Sequence, residues 1–163
     1  MRTEAFLGLG SNMGDRVSYL KEAVAALRQL DNCLEVSPVY ETAPFGGPRG
    51  QGRYLNCVVR LTTDLGAREL LAFANGLEDV AGRVRTVRNG PRTLDVDILL
   101  FGNLVIDEPD LVVPHPRMAE RGFVLAPLED LEPAAVPEGW RSRISETAPV
   151  SLDMRALGRL EDI

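Results

Sequence analysis

Net positive charge, cysteine, histidine, lysine and aromatic residues are all scarce in this chain, and each scarcity excludes something. A formal net charge of −6 withholds the basic surface that broad binding to nucleic acid or an anionic membrane requires, although it leaves room for a local basic pocket. Aromatics at 6% make a base-stacking sheet a poor reading, since an RNA-binding sheet wants exposed rings on a basic face. Cys33 and Cys57 stand far apart with no C-x-x-C spacing, which argues against a disulfide framework or structural zinc. They read as small buried or half-buried thiols. No long apolar run occurs. The opening stretch Ala5-Phe6-Leu7-Gly8-Leu9-Gly10 is too short, and too broken by glycine, for a signal peptide or a membrane helix. The expectation is a chain that stays in a reducing cytoplasm, with no nucleic-acid and no membrane partner. Lys21 is the only lysine and His115 the only histidine, so nearly all the basic charge is arginine.

What is present is ordinary for a globular protein: 45% hydrophobic and 26% charged residues over 163 positions. That length favours one domain, residues 1–163, with a sizeable core. Residues 5–10 read as a buried strand ending in a turn at Gly-Ser-Asn. Val17, Leu20, Val24, Leu27 and Leu30 repeat at the three-and-four spacing of one helix face. Asp15 just ahead of them suits the positive end of the helix dipole. Residues 34–42 predict a strand, and 44–52, rich in Gly and Pro, a mobile loop. In 54–63, Leu55, Cys57, Val59 and Leu61 alternate onto one strand face, with Tyr54, Asn56, Val58 and Arg60 on the other. A second helix fits 67–81, stopped by Gly82. An arginine-crowded loop follows over 83–92, then a strand over 93–101. From 109 onward, recurring prolines predict mostly loop with short helical pieces. The segment from about 138 matches no element. The order strand, helix, strand, strand, helix, strand is that of a split βαβ unit. This is an α+β, ferredoxin-like antiparallel sheet with helices packed on one face, a fold shared by many functions.

The chemistry concentrates in Arg92-Thr93-Leu94-Asp95-Val96-Asp97-Ile98-Leu99-Leu100. On a strand, i and i+2 share a face, so Asp95 and Asp97 point the same way with about 6.6 Å of rise between them. Leu94, Val96, Ile98 and Leu100 then face a core. Two carboxylates so placed can converge on hard cations such as Mg²⁺, and two-metal sites share ligands in this way. The plainer alternative is a half-exposed strand with two solvated acids. Asp is poorly suited to strands, however, so a pair inside an apolar strand calls for a reason. Arg83, Arg85, Arg88 and Arg92 lie just upstream. A guanidinium fork matches phosphate oxygens, and a loop carrying four can close over a polyphosphate, although a charge run is usually just solvated. Cations for phosphate beside carboxylates for metal is the arrangement that Mg²⁺-nucleotide chemistry needs. A lone histidine is more often structural than catalytic, but His115, held stiffly between Pro114 and Pro116, is a credible phosphate contact. Tyr54 and Asn56 share a strand face. Asn offers the donor and acceptor that match the amide-like edge of a pterin or purine, but such pairs are also common on plain strand surfaces.

With these residues in view, the chain resembles the 6-hydroxymethyl-7,8-dihydropterin pyrophosphokinase family over about residues 5–133. The most specific stretch is Arg88-Asn89-Gly90-Pro91-Arg92-Thr93-Leu94-Asp95-Val96-Asp97-Ile98-Leu99. Leu9-Gly10-Ser11-Asn12, Tyr40-Glu41-Thr42-Ala43-Pro44, Tyr54-Leu55-Asn56, Glu78, Gly82-Arg83-Val84-Arg85, Val113-Pro114-His115 and Arg121-Gly122-Phe123 support it in order and spacing. The resemblance implies a ferredoxin-like fold with mobile loops over the site, and ATP-dependent transfer of a diphosphoryl group to a pterin hydroxymethyl group, with release of AMP, in folate biosynthesis. It further implies two Mg²⁺ ions on Asp95 and Asp97, and catalytic roles for these two acids together with Arg83 and Arg92. ATP contacts are implied for Glu78, Arg83, Arg85, Arg88, Arg92, His115 and Arg121. A pterin pocket is implied at Thr42, Ala43, Phe45, Tyr54, Asn56 and Phe123, with Phe123 stacking on the ring. The family's usual aromatic is replaced by Asn89. The partners implied are small molecules, and the expected state is a monomer, with a dimer open. Two rival readings remain at this stage: a non-catalytic Mg-nucleotide sensor, which would bind ATP without forming AMP, and an RNA-binding sheet, which the charge and aromatic content oppose.

Overall fold

The structure, a computed structural model, describes residues 2–44, 47, 49–83 and 92–163. The expectations placed on Phe45, Arg85, Arg88 and Asn89 fall outside the described residues.

The element order begins β1 (Thr3–Ser11), α1 (Arg16–Leu27), β2 (Glu35–Val36), β3 (Val39–Thr42), β4 (Tyr54–Thr63), α2 (Ala67–Val80) and β5 (Asp95–Phe101). These are the elements that the hydrophobic periodicity predicts, with one split. The strand expected over 34–42 breaks at Ser37-Pro38, because proline has no N–H for the ladder. Ser37 fills the gap: its N–H donates to the Val58 carbonyl at 2.9 Å, and its Oγ accepts from the Val58 N–H at 2.9 Å. Asp15 caps α1, accepting from the Ser18 N–H at 3.1 Å. The strands form an antiparallel sheet in the order β5-β1-β4-β3, with β2 also on β4.

The larger core lies on one side of the sheet. Leu7 and Leu9 of β1, Leu55, Cys57, Val59 and Leu61 of β4, and Val96 and Ile98 of β5 meet Leu20, Val24 and Leu27 of α1 and Leu70 and Ala74 of α2. Period-two alternation places these strand residues on one face and the 3.6-residue period places the helix residues opposite.

The rest of the chain departs most from the sequence expectation. It holds β6 (Ile106–Glu108) and β7 (Leu111–Val113), which form a hairpin, then α3 (Gly122–Leu131), α4 (Trp140–Thr147) and β8 (Met154–Gly158). The unassigned tail therefore supplies a helix and an edge strand, with β8 pairing β3. Helices cover both faces of the sheet rather than one. Leu125, Ala126 and Leu128 of α3 and Trp140 and Ile144 of α4 pack over Phe6, Val58 and Leu99, the residues that point away from the larger core. A register slip between Phe6 and Leu7 lets two β5 residues oppose one β1 position. Leu99 and Leu100 both pack with this second layer, so Leu100 does not share the face of Val96 and Ile98.

Candidate active site

The second face of the sheet is apolar only at one end. Three cross-strand rows explain why. Phe6 of β1 lies between Arg60 of β4 and Leu100 of β5; Gly8 lies between Val58 and Asp97; Gly10 lies between Asn56 and Asp95. Side chains cover the first row. The glycines add no side chain of their own to the other two rows, and a cleft lies there, lined by Thr42, Ala43, Tyr54, Asn56, Arg92, Asp95, Arg121 and Phe123. An adjoining hollow shares Asn56, Asp95, Arg121 and Phe123 with it and reaches Gly8, Gly10, Asp97 and Leu99. A Cβ on Gly10 would come within 2.7 Å of Asn56 Oδ1, so only glycine leaves that amide in place.

The two acids do share a face, as the strand period predicts. Asp95 is held by two guanidinium groups: Arg83 Nη1 at 2.8 Å from Oδ1 and Arg92 Nη1 at 3.0 Å from Oδ2. Arg83 also donates to Glu78. Asp97 keeps 35% of its side-chain surface accessible, but that surface opens into the cleft. Burial, and next the charge of Asp95 beside it, push its carboxyl up to about 7. A cation there would relieve both causes.

His115 Nε2 lies 4.0 Å from Asp97 Oδ2. The Arg117 N–H donates to His115 Nδ1 at 3.2 Å, which leaves the neutral ring its proton on Nε2, facing the cleft. Burial, and then the nearby Arg121 charge, hold the imidazole below its ordinary value. Arg121 stands just before α3 with its guanidinium 5.8 Å from the centre of the Phe123 ring. Its Nε is buried and has no hydrogen-bond partner among the described residues, a donor fit for an incoming anion. On β4, Asn56 Nδ2 donates to Thr42 Oγ1 at 2.8 Å, which fixes the amide and turns its oxygen over Gly10.

The structure therefore brings Thr42, Ala43, Tyr54, Asn56, Arg83, Arg92, Asp95, Asp97, His115, Arg121 and Phe123 to one end of the sheet. Glu78 is nearby but only 2% exposed, beneath Arg83 rather than on the cleft wall. Among the described residues, no group of three or more His, Cys, Asp or Glu converges as a ready-made metal cage. A wider groove lined by Lys21, Arg28, Leu34, Leu131 and Arg159 contains none of these residues.

Three contributors lie outside the sequence-based site. Gly8 and Gly10 were legible as glycines interrupting a strand, which marks close approach. Asn12, 7% exposed, joins the ends of two loops. Its Oδ1 accepts from the Arg92 N–H at 2.8 Å, while its Nδ2 donates to the Gly52 carbonyl at 3.0 Å and to Gln51 Oε1 at 3.2 Å. The tail also matters: Gly122 meets it so closely that a Cβ would lie 2.7 Å from the Ser151 carbonyl oxygen, and the Gly122 N–H donates to Ser151 Oγ at 3.2 Å. The C-terminal segment thus braces the end of α3 that presents Arg121 and Phe123.

A family model described as 7,8-dihydro-6-hydroxymethylpterin-pyrophosphokinase (HPPK) matches residues 6–133. The chain is 48% identical over 133 residues to the 2-amino-4-hydroxy-6-hydroxymethyldihydropteridine pyrophosphokinase of Bacillus subtilis (strain 168), covering 80% of this chain and 79% of the relative. It is 38% identical over 144 residues to the protein of the same name from Aquifex aeolicus (strain VF5), covering 88% and 89%. Among solved structures, wild-type Plasmodium falciparum HPPK-DHPS with pteroate superposes with a TM-score of 0.67 at 14% identity, which shows a common fold. That match covers 96% of this chain but 48% of the longer one. No helix among the described residues is long and apolar enough to cross a membrane.

Proposed function

The chain belongs to the 7,8-dihydro-6-hydroxymethylpterin-pyrophosphokinase family, and from that premise we propose that it moves the terminal diphosphoryl group of ATP onto the hydroxymethyl oxygen of 6-hydroxymethyl-7,8-dihydropterin, releasing AMP, in folate biosynthesis. The whole of 1–163 acts as one domain. The observation that carries the reading is the row Asn56–Gly10–Asp95 with Asp97 beside it: a polar pocket for a flat heterocycle opens directly onto a pair of acids ringed by guanidinium groups.

The hydroxymethyl oxygen attacks the β-phosphorus in line. A bond forms from that oxygen to phosphorus, and the bond to the oxygen bridging the α- and β-phosphates breaks. AMP leaves with the electron pair, and the hydroxyl proton is lost. Most of the barrier is charge and positioning, which the residues present can address. Asn56 presents its oxygen to a ring N–H, Thr42 locks the amide, Phe123 offers its face to the pterin, and Ala43, Tyr54 and Phe45 enclose the pocket. Arg92, Arg83, Arg121 and His115 meet phosphate oxygens, and Arg85 and Arg88 are further ATP contacts. Asp95 and Asp97 would hold Mg²⁺, two ions with ATP bound. When bound, Mg²⁺ neutralises phosphate charge and makes the hydroxyl more acidic.

Purified protein with ATP, Mg²⁺ and the pterin should yield AMP and diphosphorylated pterin in equal amounts. ATP binding with no AMP formed would instead identify a nucleotide sensor.

A further inference from the structure

Glu78 is the buried acid whose chemistry the reaction above leaves unused. It lies one turn beyond Ala74 and two beyond Leu70, on the apolar face of α2, with 2% of its surface exposed. An anion in that position requires partners, since burying an unpaired carboxylate is very costly. One oxygen, Oε2, accepts from the Val96 N–H at 2.8 Å and from Arg83 Nη1. Val96 is the residue between Asp95 and Asp97, so this single atom ties the end of α2, the acid-bearing strand and a guanidinium together. The same Arg83 nitrogen also reaches Asp95 Oδ1 at 2.8 Å. If a cation engages Asp95, that contact is contested and Glu78 remains to hold Arg83. Glu78 itself is a poor nucleotide contact, because it lies under the guanidinium and carries the same sign of charge as phosphate.

We propose that Glu78 is a positioning residue for the diphosphoryl transfer, acting on the reaction through Arg83, whose guanidinium it aims at the phosphates. The inference rests on the proposed function and assigns one residue's part within it.

The test is a double-mutant cycle of Glu78→Gln and Arg83→Ala, read by AMP formation, binding of a non-hydrolysable ATP analogue and thermal unfolding. Glutamine keeps the length of the side chain and an oxygen for the Val96 N–H, but offers Arg83 no charge. Each single variant is expected to lose about 10- to 100-fold in kcat/KM for ATP, the range for groups that orient a reacting residue. The double variant should be no slower than Arg83→Ala alone, and Glu78→Asp should recover part of the loss. An active wild type with losses that multiply in the double variant, or a Glu78→Gln enzyme at full activity, would overturn the inference alone. So would a Glu78→Gln protein that does not fold, since the carboxylate would then be only a clip between α2 and β5. A wild type that makes no AMP would bring down the function and the inference together.

Discussion

The two faces of the sheet are built from the same strands and do opposite work. Under α1 and α2, every strand contributes aliphatic side chains, and the layer closes with Leu7, Leu55, Leu61 and Leu70 at 0 to 1% exposure. Under α3 and α4 the aliphatic cluster stops within the Gly8 row, where Val58 gives way to Gly8 and Asp97, and beyond it lie Asn56, Gly10 and Asp95. Because successive strand residues point to opposite faces, β4 and β5 can devote one set of residues to packing and the other to chemistry. Stability and activity should therefore be separable by choice of face.

The largest expected effect is on the chemical face. Asp97→Asn should lower kcat by about 10³-fold, the scale of losing a main electrostatic contact to the transferring group. The same change should not weaken the fold. Because the folded-state pKa of Asp97 is raised to about 7, the folded protein holds a proton that the unfolded chain has already released, so cation-free stability falls as pH climbs from the carboxylate range through about 7. Asp97→Asn should consequently melt above its parent near pH ~8 and level with it near pH ~3, where the carboxyl is protonated in both states. A lower melting temperature at the alkaline end would break the separation of the faces.

On the packing face, Leu70→Ala should cost about 3 kcal/mol of stability in denaturant titration, as for other fully buried leucines. Its kcat should stay within about twofold of the parent where the protein is folded, since uniform core loss leaves the groups that meet the transition state in place. A large fall in kcat would show that the faces are coupled.

Smaller effects sharpen the comparison within the chemical face. Gly10→Ala places a methyl against Asn56 Oδ1 and should raise the pterin KM about tenfold, or about 1.4 kcal/mol, with little change in the ATP KM. Asn56→Ala should also raise the pterin KM more than the ATP KM; equal changes would remove Asn56 from the pterin pocket. Tyr40→Phe is expected to be the mildest. Tyr40 Oη donates to Asp130 at 2.5 Å and Tyr40 does not line the cleft, so removal of the hydroxyl should cost about 1 kcal/mol of stability and leave steady-state rates unchanged.

How far these assignments could be read without coordinates follows the physics of each. Alternation along 54–63 and the helical spacing over 17–30 and 67–81 are local signals, and the elements fall on them, although α1 stops three residues early, at Leu27. Asp95 and Asp97 were legible together because their relation is set by strand period alone. Glu78 carried a readable signal, an acid at i+4 and i+8 on an apolar helix face, although its burial against Arg83 was not readable. The tail was not legible. Trp140 and Ile144 in α4 share a cluster with Phe6, Val58 and Leu99, and the short β8 pairs with β3, all far away in sequence. Asn12 was equally hidden, since its amide acts on Arg92 and Gly52, 80 and 40 residues away.

The sequence by itself determined the alternating strands, the two amphipathic helices, the paired acids and the arginines upstream, because each depends on spacing within a few residues. Only the tertiary structure decided which face those acids share with Asn56, that glycines open the floor between them, that a second helical layer ends where the cleft begins, and that a buried glutamate and an asparagine hold the arginines. The reason is physical: register between strands and packing between layers join residues that no local period relates, and a catalytic cleft is made of such joins.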